Sequence, residues 1–287
     1  RTLAISDLHG CLVPLQKMIE VVAPQPDDHL IFVGDYVDRG PDSKGVIEFI
    51  IGLKEKFTVT CLHGNHEEKF LLSSIDKTDL AHWLEAWGGG ATLESYNGFE
   101  GVPESHWNFL RNTQPYHETE THIFVHANLE HDIPVSKQHP FTLIHKKFGT
   151  PLPHQSGKIM ICGHTAQKAP HLPLNLGHAI NIDTDVGRGG WLTCLHVESS
   201  HYWQTNIDNE VREAEPQTHN QKLQLSDLPY PSPLNLSTPP EGVAALKLCP
   251  ATATANSSAT ATLLLHAPHE EIPPQTHPPP HSPPQSR

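Results

Sequence analysis

Three short polar segments gather the residues whose types and spacing could do chemistry. They hold Asp7 and His9 in DLHG (7–10), Asp35, Asp38 and Arg39 in GDYVDRG (34–40), and Asn65, His66 and Glu67 in GNHE (64–67). A carboxylate and an imidazole one residue apart suit borderline divalent cations such as Mn, Fe or Zn. Asp35 follows Gly34 and an apolar run, a position from which one carboxylate could bridge two cations, and the small Gly34 permits close backbone approach. Three and four residues on, Asp38 can orient a proton-transferring histidine, and Arg39 offers a planar fork of donors to phosphate oxygens. Asn65 adds an amide oxygen that can ligate a metal, and His66 is placed to protonate a leaving oxygen. Glu67 opens the next helix or supports the site from behind. A simple polar turn explains Gly40 and Pro41 but not three charged residues together. The chemistry expected is hydrolysis of a phosphoester at two metal ions.

Such chemistry requires the three segments to meet. Each comes after a strand-like stretch, LAIS, LIFV and TVTCL respectively, so the polar residues should emerge together at the carboxyl edge of one sheet, where open α/β sheets bind ligands. Period and composition place strands at 2–6, 29–33, 57–62, 121–126, 158–162, 178–182 and 191–197, and helices at 12–23, 43–55, 66–75, 79–87, 104–112 and 140–147. In the first helix Leu12, Leu15, Ile19 and Val22 recur at helical spacing, and Pro14 sits near the start, where its missing N–H is harmless. This alternation predicts a layered α/β domain over 1–210.

From about residue 211 to 287 the chain turns to Pro, Ser, Thr, Ala and His and holds more than half of its 27 prolines. Such a segment buries too little apolar area to offset its ordering entropy, so it is expected to be a disordered tail without a catalytic role. ATLLL at 261–265 is read as a bland excursion within it, and tail histidines such as His277 and His281 as incidental. A formal net charge of −13 argues against a nucleic-acid-coating surface, which would need Lys and Arg to displace counterions. The five cysteines, Cys11, Cys61, Cys162, Cys194 and Cys249, are far apart and odd in number, as expected of reduced thiols in a cytoplasmic protein. No apolar run reaches the roughly 20 residues that span a bilayer. The chain lacks an initiator Met, so an upstream targeting segment stays open.

The series DLHG, GDYVDRG and GNHE, in this order and spacing, resembles the phosphoprotein phosphatase family of the calcineurin-like metallophosphoesterases, in its bacterial and phage serine/threonine phosphatase branch. WGGGATLESY (87–96), FVHAN (124–128), CGHT (162–165) and NIDT (181–184) extend the resemblance over roughly residues 1–205. It implies a four-layer αββα sandwich. It also implies a first metal held by Asp7, His9 and Asp35, and a second held by Asp35, Asn65, His126 and His164, with Mn first and Fe or Zn as alternatives. Both later histidines end apolar strands, HIFVH and KIMICGH, which independently puts them at the right edge.

The implied mechanism is direct attack on phosphorus by a hydroxide between the two ions, with His66 as general acid oriented by Asp38 and Arg39 neutralising charge. Phosphoserine or phosphothreonine in proteins, or a small phosphoester, is the expected substrate. The alternatives are symmetrical hydrolysis of diadenosine tetraphosphate and a phosphate-binding module that has lost catalysis. Two departures stand out. TLIHKKF puts His145 where the family has a second phosphate-binding arginine, leaving His145, Lys146 or Lys147 to grip substrate. NIDTDVG carries Asp185 in place of a small glycine. His63 is expected to face the core or a neighbouring turn, and His178 is a weaker rival ligand.

Overall fold

The computed structural model describes residues 1–214; the segment from 215 on, with ATLLL, Cys249, His277 and His281, lies outside the described residues. Eleven strands are present among those described: β1 (Thr2–Ile5), β2 (His29–Phe32), β3 (Thr58–Cys61), β4 (Tyr116–Glu118), β5 (His122–Val125), β6 (Ile159–Cys162), β7 (Leu174–Asn175), β8 (Ala179–Asn181), β9 (Leu192–His196), β10 (Tyr202–Thr205) and β11 (Val211–Ala214). The helices are α1 (Leu12–Val22), α2 (Ser43–Lys54), α3 (Asn65–Ser73), α4 (Lys77–His82), α5 (Gly89–Tyr96), α6 (Glu104–Arg111) and α7 (Pro140–Ile144).

The strands form two sheets. One runs β11-β10-β9-β1-β2-β3, with β1, β2 and β3 parallel and in register through Leu3, Leu30 and Val59. The other runs β4-β5-β6-β8-β7, its three central strands parallel and its edges antiparallel. Strand side chains alternate faces, and both faces here are buried. Ala4 and Ile31 of the first sheet share a core with Phe124, Ile161 and Ile180 of the second, so the sheets pack face to face. Leu3, Ile5, Leu30 and Phe32, one residue out of phase, pack against Leu15, Ile47 and Phe70 of the helices. Ile123, Val125 and Met160 point from the second sheet to Leu143 and Ile144 of α7. The order is helices, sheet, sheet, helix: the expected four-layer α/β sandwich.

Three expectations change in detail. The helix read over 79–87 is α4 followed by a π turn at Trp83–Trp87, with Gly88 N–H returning to the Trp83 carbonyl. The helix read over 140–147 stops at Ile144. The sheet continues through β11, past the boundary expected at residue 210. Arg212 explains why: it donates to Gln204 Oε1 (2.7 Å) and the His171 carbonyl (2.7 Å), and its guanidinium lies 4.1 Å from the Trp191 ring centre. Cys11, Cys61, Cys162 and Cys194 are buried and free, and no described helix is long and apolar enough to cross a membrane.

Candidate active site

Parallel strands deliver their next residues to one edge. Asp7 comes just after β1, Asp35 after β2, Asn65 after β3, His126 after β5 and His164 after β6. The loops carrying them are tied together by backbone. Leu8 and His9 N–H groups both donate to the Asp35 carbonyl (2.9 and 2.8 Å), and Gly163 N–H donates to that of His126 (2.8 Å). Glu67, fully buried at the start of α3, accepts from the N–H groups of Asp35 (2.8 Å), Tyr36 (2.7 Å) and Gly64 (3.0 Å), locking the second loop onto the third. Two glycines make room. A Cβ on Gly34 would meet His126 Nδ1 at 2.7 Å, and one on Gly163 would meet Asp7 Oδ1 at 1.9 Å.

Each prospective ligand histidine is aimed by a backbone carbonyl. His9 Nδ1–H donates to Val37 O (3.0 Å), His126 Nδ1–H to Val33 O (2.9 Å) and His164 Nε2–H to His145 O (3.0 Å). Because a carbonyl only accepts, these bonds fix the tautomer and leave the other nitrogen of each ring with a lone pair facing inward. Asp35 sits between them: Oδ1 is 3.3 Å from His126 Nε2 and Oδ2 is 3.6 Å from His9 Nε2. The ligand atoms of His9, Asp35 and His66 lie within 4.8 Å of one another, as do those of Asp35, His126 and His164.

The donor set fits cations. Asn65 Oδ1 lies 2.9 Å from His126 Nε2 and 2.8 Å from His164 Nδ1, so three acceptors converge with no proton among them. Asp7 Oδ1 is buried without a hydrogen-bond partner, while its Oδ2 accepts from His164 N–H (3.0 Å). Both observations are what a bound positive ion would resolve. Burial lowers the His9, His126 and His164 pKa values, His164 to about 3, keeping the rings neutral as ligation requires. Burial, then the nearby Asp183 and Asp35 charges, raises Asp7 well above the usual carboxylate range. Burial alone would also raise Asp35, yet His126, His66 and His9 hold it down.

Beside this cluster stands an acid pair. His66 Nδ1–H donates to Asp38 Oδ2 at 2.6 Å, and Trp83 Nε1–H (2.8 Å) and Thr92 Oγ1–H (2.7 Å) complete the Asp38 carboxylate. His66 Nε2 is left facing the cluster. Arg39 reaches over the same centre, with one guanidinium nitrogen on His9 Nε2 and the other 3.0 Å from His66 Nε2. Five of these residues, His9, Asp35, Asp38, Arg39 and His164, hold left-handed φ angles of 45°, 53°, 74°, 71° and 62°. Non-glycine residues adopt that region only where the surroundings enforce it.

His145 does not join them. Its ring turns away to Glu68 Oε2 (2.8 Å), and Lys146 pairs with Glu130 (2.7 Å). It is Lys147, two residues later, that lines the cavity over the cluster, together with Arg39 and Trp87. The chain leaves the helix at Ile144, so the spacing that a helix to 147 would have imposed is lost. Asp185 takes φ 69°, the conformation a glycine would favour, which accounts for its exchange with a small residue. His63 bonds Thr113 Oγ1 (2.7 Å) and His178 bonds Pro151 O (2.8 Å), both away from the cluster. Sequence reading missed Asp183, buried with its pKa pushed up to about 6 by burial; NIDTDVG was noted for its resemblance and for Asp185, and Asp183 was given no role. Trp83 was read as part of a plain helix, and Trp87 and Thr92 stood in WGGGATLESY, which carried a resemblance without a role for either residue.

Comparison with known proteins places these features among relatives. The sequence profile of the calcineurin-like phosphoesterases matches residues 1–168. The chain is 37% identical over 102 residues to the symmetrical bis(5'-nucleosyl)-tetraphosphatase of Legionella pneumophila strain Lens, covering 28% of this chain and 36% of that one. It is 43% identical over 100 residues to the same-named protein of Pseudomonas syringae pv. syringae, covering 28% and 34%. The match thus spans about a third of these relatives' length. Among solved structures, one provisionally described as a diadenosine tetraphosphatase superposes with a TM-score of 0.53 at 20% identity, over 75% of this chain and 93% of that one. The cold-active protein-tyrosine phosphatase of a psychrophilic Shewanella species does so with 0.51 at 17%, over 74% and 79%. These two likenesses are of fold.

Proposed function

The chain belongs to the calcineurin-like phosphoesterase family, and from that premise we propose that it hydrolyses dinucleoside polyphosphates, with symmetrical cleavage of diadenosine tetraphosphate as the leading reaction. The observation that carries the chemistry is the Asp35 carboxylate, one oxygen directed at His9 and the other at His126, beside the His66–Asp38 pair. The named activity of the Legionella and Pseudomonas relatives supports the substrate class.

In this reading Asp7, His9 and Asp35 would hold one cation, and Asp35, Asn65, His126 and His164 would hold the other. Bound there, such ions would lower the pKa of water and draw charge from phosphate oxygens. The chain's own residues do the rest. Asp38 fixes His66 so that Nε2 faces the leaving oxygen and gives it a proton. Arg39 and Lys147, which both line the cavity, hold the phosphate oxygens. Trp83 and Thr92 keep the Asp38 carboxylate an oriented acceptor.

A second reading is hydrolysis of phosphomonoesters, with phosphoserine and phosphothreonine in proteins as candidates. The acid pair favours it, because an alkoxide leaving group needs a proton that a departing diphosphate scarcely does. One experiment separates them: full-length protein with manganese is offered diadenosine tetraphosphate and a phosphoserine peptide. ADP as sole nucleotide product, at the higher kcat/KM and lost in Asp35→Asn, is the expected result. Faster phosphate release from the peptide selects the second reading. A folded protein inactive on both with Mn, Fe and Zn defeats both and favours a phosphate-binding module.

A further inference from the structure

We propose that Trp87 is a specificity-determining residue, forming a wall of the cleft that binds a flat aromatic ring carried by the leaving group. The inference rests on the site being a phosphoester-hydrolysing one. The π turn Trp83–Trp87 brackets the acid pair with two indoles: Trp83 is buried and donates to Asp38, while the Trp87 ring stands 4.9 Å from the His66 ring, tilted by 59°. Trp87 packs on the helix-side core yet stays half-buried, and it lines the cavity with His66 and the exposed Ala86. The extra residue in a π turn rotates the side chains after it, and such turns recur at functional sites.

The position decides which part of a substrate meets Trp87. The leaving oxygen must come within about 3 Å of His66 Nε2 to take its proton. Whatever that oxygen carries then leaves the cavity past Trp87, the large aromatic side chain that lines it beside His66 among the described residues. The other side chains lining the cavity, Asp35, Arg39, Asn65, Lys147 and His164, are polar or charged. A cavity of about 200 Å³ suits a phosphoryl group with one flat substituent. Stacked or edge-on aromatic contact adds stabilisation that an alkyl group of similar length does not receive. The ring could be a nucleobase or an aryl group.

Matched ligands test this by calorimetry on the full chain with saturating manganese, independently of turnover. Phenylphosphonate is compared with methylphosphonate, and adenosine 5'-(α,β-methylene)diphosphate with methylenediphosphonate, on wild type, Trp87→Phe and Trp87→Leu. The expected result is a ring-dependent affinity ratio that drops roughly tenfold in Trp87→Leu and is largely restored in Trp87→Phe. A drop confined to the phenyl pair identifies an aryl source, and one confined to the adenosine pair identifies a nucleobase. If the ratios match wild type in Trp87→Leu, or every ligand weakens alike, Trp87 only braces His66 and the proposal is overturned. Because binding is read, the two failures are distinguishable: lost ring preference in a catalytically inert protein would keep Trp87 as the ring-binding wall while sinking the hydrolytic reading and, with it, the ring's place on a leaving group.

Discussion

Asp38 accepts from three side-chain donors, His66, Trp83 and Thr92, and each constrains what it can do. A carboxylate so saturated orients the imidazole instead of shuttling protons. Asp38→Asn would set an amide N–H₂ against donors and cost His66 its tautomer. Turnover of a phosphoserine peptide should then fall by about 10²–10³-fold, with a smaller loss on p-nitrophenyl phosphate, whose leaving group is already acidic. Equal losses on both would remove His66 as the acid. A second residue-scale expectation concerns protons. Burial keeps His9, His126 and His164 neutral, so they have none to give up when cations bind. Burial raises Asp7 and pushes Asp183 up to about 6, so Asp183 gains a proton as pH falls through that value. A nearby cation favours ionised Asp183 and must displace that proton, and Asp7 ligates only as the carboxylate. As pH falls from about 7 to about 5, proton release per manganese should rise and affinity should weaken. Calorimetry in buffers of different ionisation enthalpy measures this; pH-independent release would contradict it.

At the scale of elements, Glu67 joins the end of β2 to the start of α3 through three buried N–H groups. Glu67→Ala leaves them unpaired, at about 1–3 kcal/mol each. A total loss of at least about 3 kcal/mol in urea unfolding is expected, with Glu67→Gln milder; a loss under about 1 kcal/mol would mean that Glu67 does not clamp the loops. Glu67 also marks how far the sequence could be read. The central strands were legible because their apolar runs end in residues of unmistakable chemistry, and the metal-ligand candidates came from those ends. Glu67 was visible as a helix-opening or supporting residue, but not which N–H groups it would hold. The π turn was read as plain helix, since Trp83 to Trp87 has ordinary helical composition. α5 was hidden because Gly88, Gly89 and Gly90 suggest a turn. β10 owes its place to pairing with β9, and β11 to pairing with β10 and to the Arg212 contacts, which no local pattern announces. Lys147 replaced His145 at the cavity because α7 ends three residues early, and helix ends are where pattern is weakest.

For the whole molecule, the cluster spans both halves of the sandwich. Asp7, His9, Asp35 and Asn65 come from the first sheet's loops, His126 and His164 from the second's. A cation among Asp35, Asn65, His126 and His164 would therefore fasten one sheet to the other. Binding only to the folded state adds about 2.7 kcal/mol at a hundredfold excess over Kd, so manganese should raise Tm by several degrees and a chelator should reverse it. His126→Ala combined with His164→Ala should remove most of that increment; an undiminished increment would place the stabilising ion elsewhere. A last consequence comes from the left-handed backbone of His9, Asp35, Asp38, Arg39 and His164. Glycine would relax such positions, by roughly 1–2 kcal/mol each, and at Arg39 it sacrifices only contacts made for function. Anyone breeding this protein for heat resistance alone should see glycine enriched at residue 39 when the survivors are sequenced, and no enrichment would speak against the strain. Robustness and usefulness thus pull in opposite directions at those few peptide units, and a breeding scheme keeps the catalyst only by rewarding its work.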